Sequence, residues 1–528
     1  MDRKKRRLVP VFLAILGIVS LLISCGKKSS TNPTSQKPLW TVIGYMDGNN
    51  NIDISQNGTS YTINDVQGLE AVGSTGKVKI VVALGSLKMG GIVRYYEIEK
   101  HANELPDSVS SKMLKNRGTK DMSDPQTLKD FLTFALKNYP AEHYLLILDD
   151  HGAGWRGCCS DEQNGSGSMM SLKGLRQALA DFPKIDVLVF HACLMSQIEV
   201  AYELKDQANF MVASEFKMPM LSVLGPEIWL KHLVDDPKMK PQDLAEDIAT
   251  TVYNQGKLQQ KPIHMAVTDL SHIQELASKV ANFSNRLVSE TGNYWGEVED
   301  AWGKTNYTKL DDPAFVDLRE FAKKVSQEPH ISTIPLIKMA TDSVISCMNR
   351  TVPLTITNAP GIPRGGLTIY FPSRQEDYDQ ADYAALAFRS TNWQNFVERF
   401  IQQTAKTSVT VSGVVVWQGH NLSAHAIAIV DTSHSDQVVP IAQAAVNPQN
   451  GQFSVTFHIQ QPTEAYFEAW DDANNNGNLD AGDGFGWYDA NGNGQWDDMV
   501  TIQPGETISN VRIVLSTQTV RLGKLKKK

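Results

Sequence analysis

Cysteine is scarce in this chain. Five in 528 residues are too few for a disulfide framework, so the fold must rest on a hydrophobic core. A basic excess is also missing. The formal net charge is -8, which argues against general nucleic-acid binding. No apolar run reaches the length of a typical membrane-spanning helix; the longest, Leu8 to Leu22, falls short of it. What remains is an ordinary globular composition, 41% hydrophobic and 20% charged, on a chain long enough for two to four domains.

Residues 1–24 read as a signal peptide: a basic stretch from Arg3 to Arg7, then the apolar run, then Leu22-Ile23-Ser24-Cys25-Gly26. That ending resembles a bacterial lipobox, which implies cleavage before Cys25 and a diacylglycerol on its thiol. An uncleaved signal anchor is the alternative. Residues 25–38 carry Lys, Ser, Thr and Asn and read as a flexible tether. The expected location is the bacterial cell envelope, anchored through Cys25 at the outer membrane or cell surface, because Gly26 replaces the Asp that often retains lipoproteins at the inner membrane.

The informative stretch lies further on. Asp186 to Phe190 is a short apolar run, suited to a strand buried on both faces, and Ile198, Ala201, Tyr202 and Leu204 follow at helical spacing. Cys193 sits at the break. A thiol at the carboxyl end of a parallel strand stands where ligands bind, and a helix N-terminus beside it is expected to lower its pKa towards the nucleophilic thiolate. Upstream, Tyr144 to Asp149 is another apolar strand, ending in Asp150-His151-Gly152-Ala153-Gly154-Trp155. Two such strands in one parallel sheet bring His151 and Cys193 to the same rim, a base beside a nucleophile.

These segments resemble the clostripain family of cysteine peptidases. Asp150 to Trp155, Ala192 to Met195 and Glu199 to Glu203 match its motifs. So do Trp40 to Met46, Val212 to Glu215, and Gly366 to Pro372 with Trp393 and Phe396. The resemblance covers residues 39–402. It implies a caspase-like α/β fold, a three-layer sandwich with a mostly parallel central sheet. It also implies hydrolysis of protein or peptide substrates with no cofactor for catalysis, and an oxyanion hole from the backbone N–H groups of Gly152 and Cys193. Asp150 is expected to orient the strand end. One position departs from the family. Where relatives carry Asp two residues before the cysteine, on the floor of a pocket for Arg or Lys, this chain has His191. A preference for basic side chains is therefore expected to be lost, unless Glu215, beside Ser214, supplies the charge from the next strand. A third reading makes His191 the base. The rival to a peptidase is a binding or adhesion module that has lost activity; the presence of both Cys193 and His151 weighs against it.

Alternation of strands and helices through residues 39–402 predicts a parallel sheet covered on both faces, with Gly366 to Phe371 returning a late strand to it. Cys158 and Cys159 lie in a loop and lack the spacing of metal ligands. Cys347 has an apolar context, as a buried inert thiol does. Past Gln403 the pattern turns to period-2 strands, predicting a β-sandwich over residues 408–517 and a basic tail over 518–528. Within it, Asp472, Asn474, Asn476, Asp480 and Asp483 stand at positions 1, 3, 5, 9 and 12 of a calcium-type loop, with Gly477 at position 6. A Ca²⁺ ion is expected there. A second run, from Asp489 to Asp497, repeats the start of the pattern.

Overall fold

The computed structural model describes residues 37–53, 58–101, 105–219, 223–305, 311–359, 365–432, 440–459, 462–477, 482–495 and 498–517. Cys25, Asp480, the signal peptide and the basic tail lie outside them. Among the described residues no helix is long and apolar enough to cross a membrane.

The strands in chain order are β1 (Trp40–Gly48), β2 (Val78–Ser86), β3 (Val93–Glu97), β4 (Lys112–Gly118), β5 (His143–Asp149), β6 (Cys158–Ser160), β7 (Met169–Met170), β8 (Ile185–His191), β9 (Ala208–Ala213), β10 (His264–Asp269), β11 (Phe315–Asp317), β12 (Leu354–Thr357) and β13 (Thr368–Tyr370). Nine of them form one sheet in the order β12-β10-β9-β8-β5-β1-β2-β3-β4. The five central strands, β9 to β2, run parallel. Each edge adds two antiparallel strands. The central strands are near-continuous apolar runs because both faces are covered: all of β1 is buried, and so is β5 after His143.

Helices α1 (Tyr61–Glu70), α2 (Pro125–Asn138), α3 (Leu172–Leu179), α4 (Ile198–Leu204), α5 (Pro226–Asp235), α6 (Pro241–Leu258) and α7 (Ile273–Glu290) divide between those faces. Val42, Leu145, Ile147, Val187 and Val189 pack with α1, α5 and α6. Ile43, Leu146, Leu148, Leu188 and Phe190 pack with α2, α3, α4 and α7 on the other side. The period-2 alternation thus puts Asp149 and His191 on the α1 side.

One expected strand goes elsewhere. Thr368–Tyr370 pairs with Phe315–Asp317 in a separate two-stranded sheet. The edge next to β10, where a returning strand would add, is filled by β12. Instead β13 braces the helix that follows Cys193: Thr368 bridges Gln197, and the Glu199 carboxylate accepts from the Tyr370 N–H at 2.9 Å.

The last helix, Trp393–Thr407, passes straight into β14 (Ser408–Trp417). There follow β15 (Ala426–Asp431), β16 (Ala442–Ala445), β17 (Gln452–His458), β18 (Thr463–Asp471), β19 (Gly484–Trp487), β20 (Val500–Ile502) and β21 (Thr507–Leu515). One sheet is β17-β14-β21 and the other is built on β16-β15-β18-β19, with β20 on β18. Val409, Val411, Phe453, Val455 and Ile513 of the first face Ala428, Val430, Ala465 and Phe467 of the second in one apolar core.

Candidate active site

Strand order reverses between β5 and β1: β2 lies on one side of β1 and β5 on the other. In an open α/β sheet the loops at the carboxyl ends part at such a point and leave a crevice. The loop after β1 brings Asn49 to Ile52, and the loop after β5 brings Asp150 to Gly154. Asp149 and His191 are in register across β5 and β8, so His151 and Cys193, each two residues further on, emerge side by side. Both line one cavity of about 50 Å³, together with Ile52, Tyr61, Asp65, Asp149, Asp150, His191, Ala192, Met218 and Pro219.

The backbones of the two loops touch. A Cβ at Gly152 would lie 2.3 Å from the Cys193 carbonyl oxygen, so only glycine fits there. Gly152 also bridges Cys158. The two hydrogen bonds of that bridge come from the Ala153 and Cys159 N–H groups, which leaves the Gly152 N–H outside it. Leu194, with φ at +64°, turns the chain sharply after the cysteine. Its N–H donates to Phe216 O at 3.1 Å, and the Met218 N–H donates to Cys193 Sγ at 3.3 Å.

His151 Nε2 lies 2.6 Å from Asn51 Oδ1. An amide oxygen only accepts, so Nε2 carries the proton and Nδ1 is the free base. Burial lowers the His151 pKa, with Glu162 opposing. Asp150 is buried; its Oδ1 accepts from Asn50 Nδ2 at 2.7 Å and its Oδ2 from the Ser160 N–H. It thereby ties three loops together. Asn51 was not legible as a site residue, since an Asn in a Gly/Asn-rich turn carries no chemical signal.

The expected thiolate needs correction. Helix α4 begins at Ile198, five residues past Cys193, too far for its first turn to act on the thiol. Burial pushes the Cys193 thiol above its ordinary value; the Met218 N–H and His191 pull the other way, and Asp311 adds to the rise. Neutral thiol and neutral imidazole is the resting state.

His191 lines the cavity, as its position two before Cys193 implies. Its Nδ1 is 2.8 Å from Asp149 Oδ1 and 3.3 Å from Asp65 Oδ2. Burial alone would lower its pKa. The Asp149 and Asp65 charges, with their hydrogen bonds, outweigh that and hold it well above the usual histidine range. Burial in turn pushes Asp149 up to about 6, although His191 opposes the rise. With Nδ1 committed to two carboxylates, His191 is no base for Cys193.

Ser214 and Glu215 are not among the cavity's described lining. Both are buried. Glu215 Oε2 is 3.1 Å from His264 Nε2, beneath the site, where it offers no charge to a side chain in the cavity. The acidic groups that do reach it, Asp65 and Asp149, lay unrecognised: one is a helix residue among polar neighbours, the other a strand end beside a histidine.

In the C-terminal sandwich, Asp472 Oδ1 accepts from the Asn476 N–H at 3.1 Å and Oδ2 from the Gly477 N–H at 3.0 Å. Asp483 Oδ1 accepts from the Ala473 N–H at 3.0 Å. The loop so formed carries the hard oxygen donors of Asp472, Asn474, Asn476 and Asp483, residue types that suit Ca²⁺.

The model of the clostripain family matches residues 44–417. Clostripain of Hathewaya histolytica is 32% identical over 147 residues, which is 23% of this chain and 27% of that protein; the match thus spans about a quarter of the relative's length. A secreted C11 cysteine protease from Bacteroides thetaiotaomicron, solved with an irreversible peptide inhibitor, superposes with a TM-score of 0.50 at 19% identity, covering 67% of this chain and 99% of that one. A structure of a secreted C11 cysteine protease from the same organism, called iotapain, gives 0.51 at 16%, with the same coverage. At these identities the likeness establishes the fold, α/β with a large mixed sheet.

Proposed function

This chain belongs to the clostripain family, and on that premise we propose that it is a cysteine endopeptidase working through Cys193 and His151. The observation that carries this reading is the shared cavity: a thiol and an imidazole from adjacent parallel strands, with the Gly152 backbone against the Cys193 carbonyl. His151 Nδ1 takes the proton from Cys193 Sγ as the sulfur attacks the scissile carbonyl carbon. The oxyanion is met by the N–H groups of Gly152 and Cys193. The imidazolium then protonates the leaving amine, giving a thioester that water hydrolyses by the reverse proton path. Asn51 orients the ring.

The finer reading is an extracytoplasmic enzyme, lipid-anchored through Cys25 at the outer membrane or cell surface, with residues 39–402 as the peptidase domain. The sandwich of residues 408–517 holds Ca²⁺ in the Asp472 loop and serves placement, not chemistry. The lipobox-like ending and the polar tether support the first point; the oxygen-rich loop supports the second.

The test is peptide hydrolysis by purified full-length protein beside Cys193→Ala and His151→Ala. Each variant is expected to fold normally and to lose several orders of magnitude in kcat. Turnover like that of the unmutated protein in either variant would remove the assignment.

A further inference from the structure

The cavity beside Cys193 ends on a charged cluster that the reaction does not use. Asp65 enters from α1, Asp149 from the end of β5 and His191 from the end of β8, all on one face of the sheet. Both carboxylates meet the same ring nitrogen, Nδ1 of His191, at 2.8 and 3.3 Å. An imidazole held so is a cation, and its other nitrogen, Nε2, is then a second N–H donor. No partner for Nε2 is found among the described residues. Asp149 keeps the complementary need: its Oδ2 is buried without a hydrogen-bond partner among the described residues. The two residues that carry this donor and acceptor line the same cavity of about 50 Å³, room for roughly three or four waters.

We propose that this cavity receives the side chain preceding the cut bond and selects a side-chain amide, asparagine before glutamine. The amide oxygen accepts from His191 Nε2–H, and the amide NH₂ donates to the Asp149 carboxylate. Carboxylate, cationic and alkyl side chains each fail at least one of the two partners. A carboxylate meets Asp65 and Asp149. A lysine or arginine meets the His191 cation and exceeds the space. A leucine leaves both buried groups unpaired, and sites built to hydrogen-bond a substrate reject such analogues strongly. Asp65 and Asp149 therefore become specificity-determining residues, with Asp65 acting through the charge it keeps on His191.

This inference rests on the peptidase reading. It is tested with peptides identical except for Asn, Gln, Asp, Arg or Leu before the cut bond, using the full chain, Cys193→Ala and His191→Asp. The unmutated protein is expected to give kcat/KM for Asn at least tenfold above Arg, Asp and Leu, and above Gln by a smaller factor. His191→Asp is expected to lose the Asn preference and move towards Arg, with Cys193 labelling by iodoacetamide retained. Cleavage that depends on Cys193 but favours Arg, or is flat across the series, overturns the amide pocket and leaves the peptidase reading standing. If no peptide is cleaved in a Cys193-dependent manner, both fall.

Discussion

At Cys193 and His151, the proposed nucleophile and base, burial outweighs the neighbouring charges and both groups rest uncharged. Catalysis then needs His151 neutral, and burial places its pKa below the ordinary 6.5. Protonation as pH falls through that lowered value removes the base. The acid limb of kcat/KM is expected below pH 6.5, and a limb at or above 7 would contradict the geometry. Asn51 is the residue that sets the tautomer. Asn51→Ala frees Nε2 and lets the proton sit on either nitrogen. A fall of about ten- to a hundredfold in kcat with little change in KM is expected, measured on the best peptide. An equal loss in KM would mean that Asn51 binds substrate instead.

Beneath the site, three elements meet at a buried polar cluster. Glu215 follows β9, His264 opens β10 and Asp317 ends β11. Burial pushes Glu215 up to about 8 and Asp317 up to about 8, and pulls His264 down to about 4. The His264 ring is neutral: Nδ1 accepts from the Glu215 N–H at 3.3 Å, and Nε2–H faces Thr355 Oγ1 at 3.1 Å and Glu215 Oε2. A carboxyl whose pKa is raised on folding binds more protons in the native state. Its neutral burial costs nothing at low pH, and stability declines as pH rises from the unfolded value near 4.3 towards about 8. Glu215→Gln mimics the neutral acid. Its melting temperature is expected to match that of the unmutated protein at pH 5 and to exceed it at pH 9, by an amount corresponding to a few kcal/mol. Equal melting at both pH values would show that Glu215 is ionised or solvated.

Over the whole molecule, the peptidase-like part and the sandwich share one unit from Pro38 onward, and Trp393–Thr407 joins them without a linker. His458 of β17 lies 2.5 Å from Glu299 in the helix 295–303, so the proposed calcium site would act on a sandwich joined directly to the peptidase part. A Ca²⁺ ion bound there would offset the repulsion between Asp472 and Asp483. Millimolar calcium is expected to raise the melting temperature of the full chain above its value in EDTA, with a ceiling near 2.7 kcal/mol at a hundred times Kd. Asp483→Ala should abolish the difference, and identical melting in both conditions would count against the site. At the other end, Cys25→Ala is expected to move the protein from the washed membrane fraction to the soluble one. Retention of the variant in membranes would favour an uncleaved anchor.

Read as sequence alone, the apolar runs before His151 and Cys193 were enough to imply buried parallel strands, because only strands covered on both faces lack polar alternation. The pairing of a histidine and a cysteine at two strand ends followed from that. Glu199 and Glu203 stood in the sequence as a motif without a reason. The fold supplies one: Glu199 takes the Tyr370 N–H and the Tyr383 hydroxyl at 2.7 Å, and Glu203 pairs with Arg176 at 2.9 Å, holding α4 and the thiol's loop in place. Three things depended on distant segments meeting. Asn51 meets His151 across a separation of 100 residues. Asp65 reaches His191 from the helix that lies between β1 and β2 in sequence. The thiol's charge state follows from burial, where local sequence suggested a helix dipole. Periodicity and composition encode which face of an element is buried; they do not encode which charge will stand opposite, since that is settled only when the elements pack.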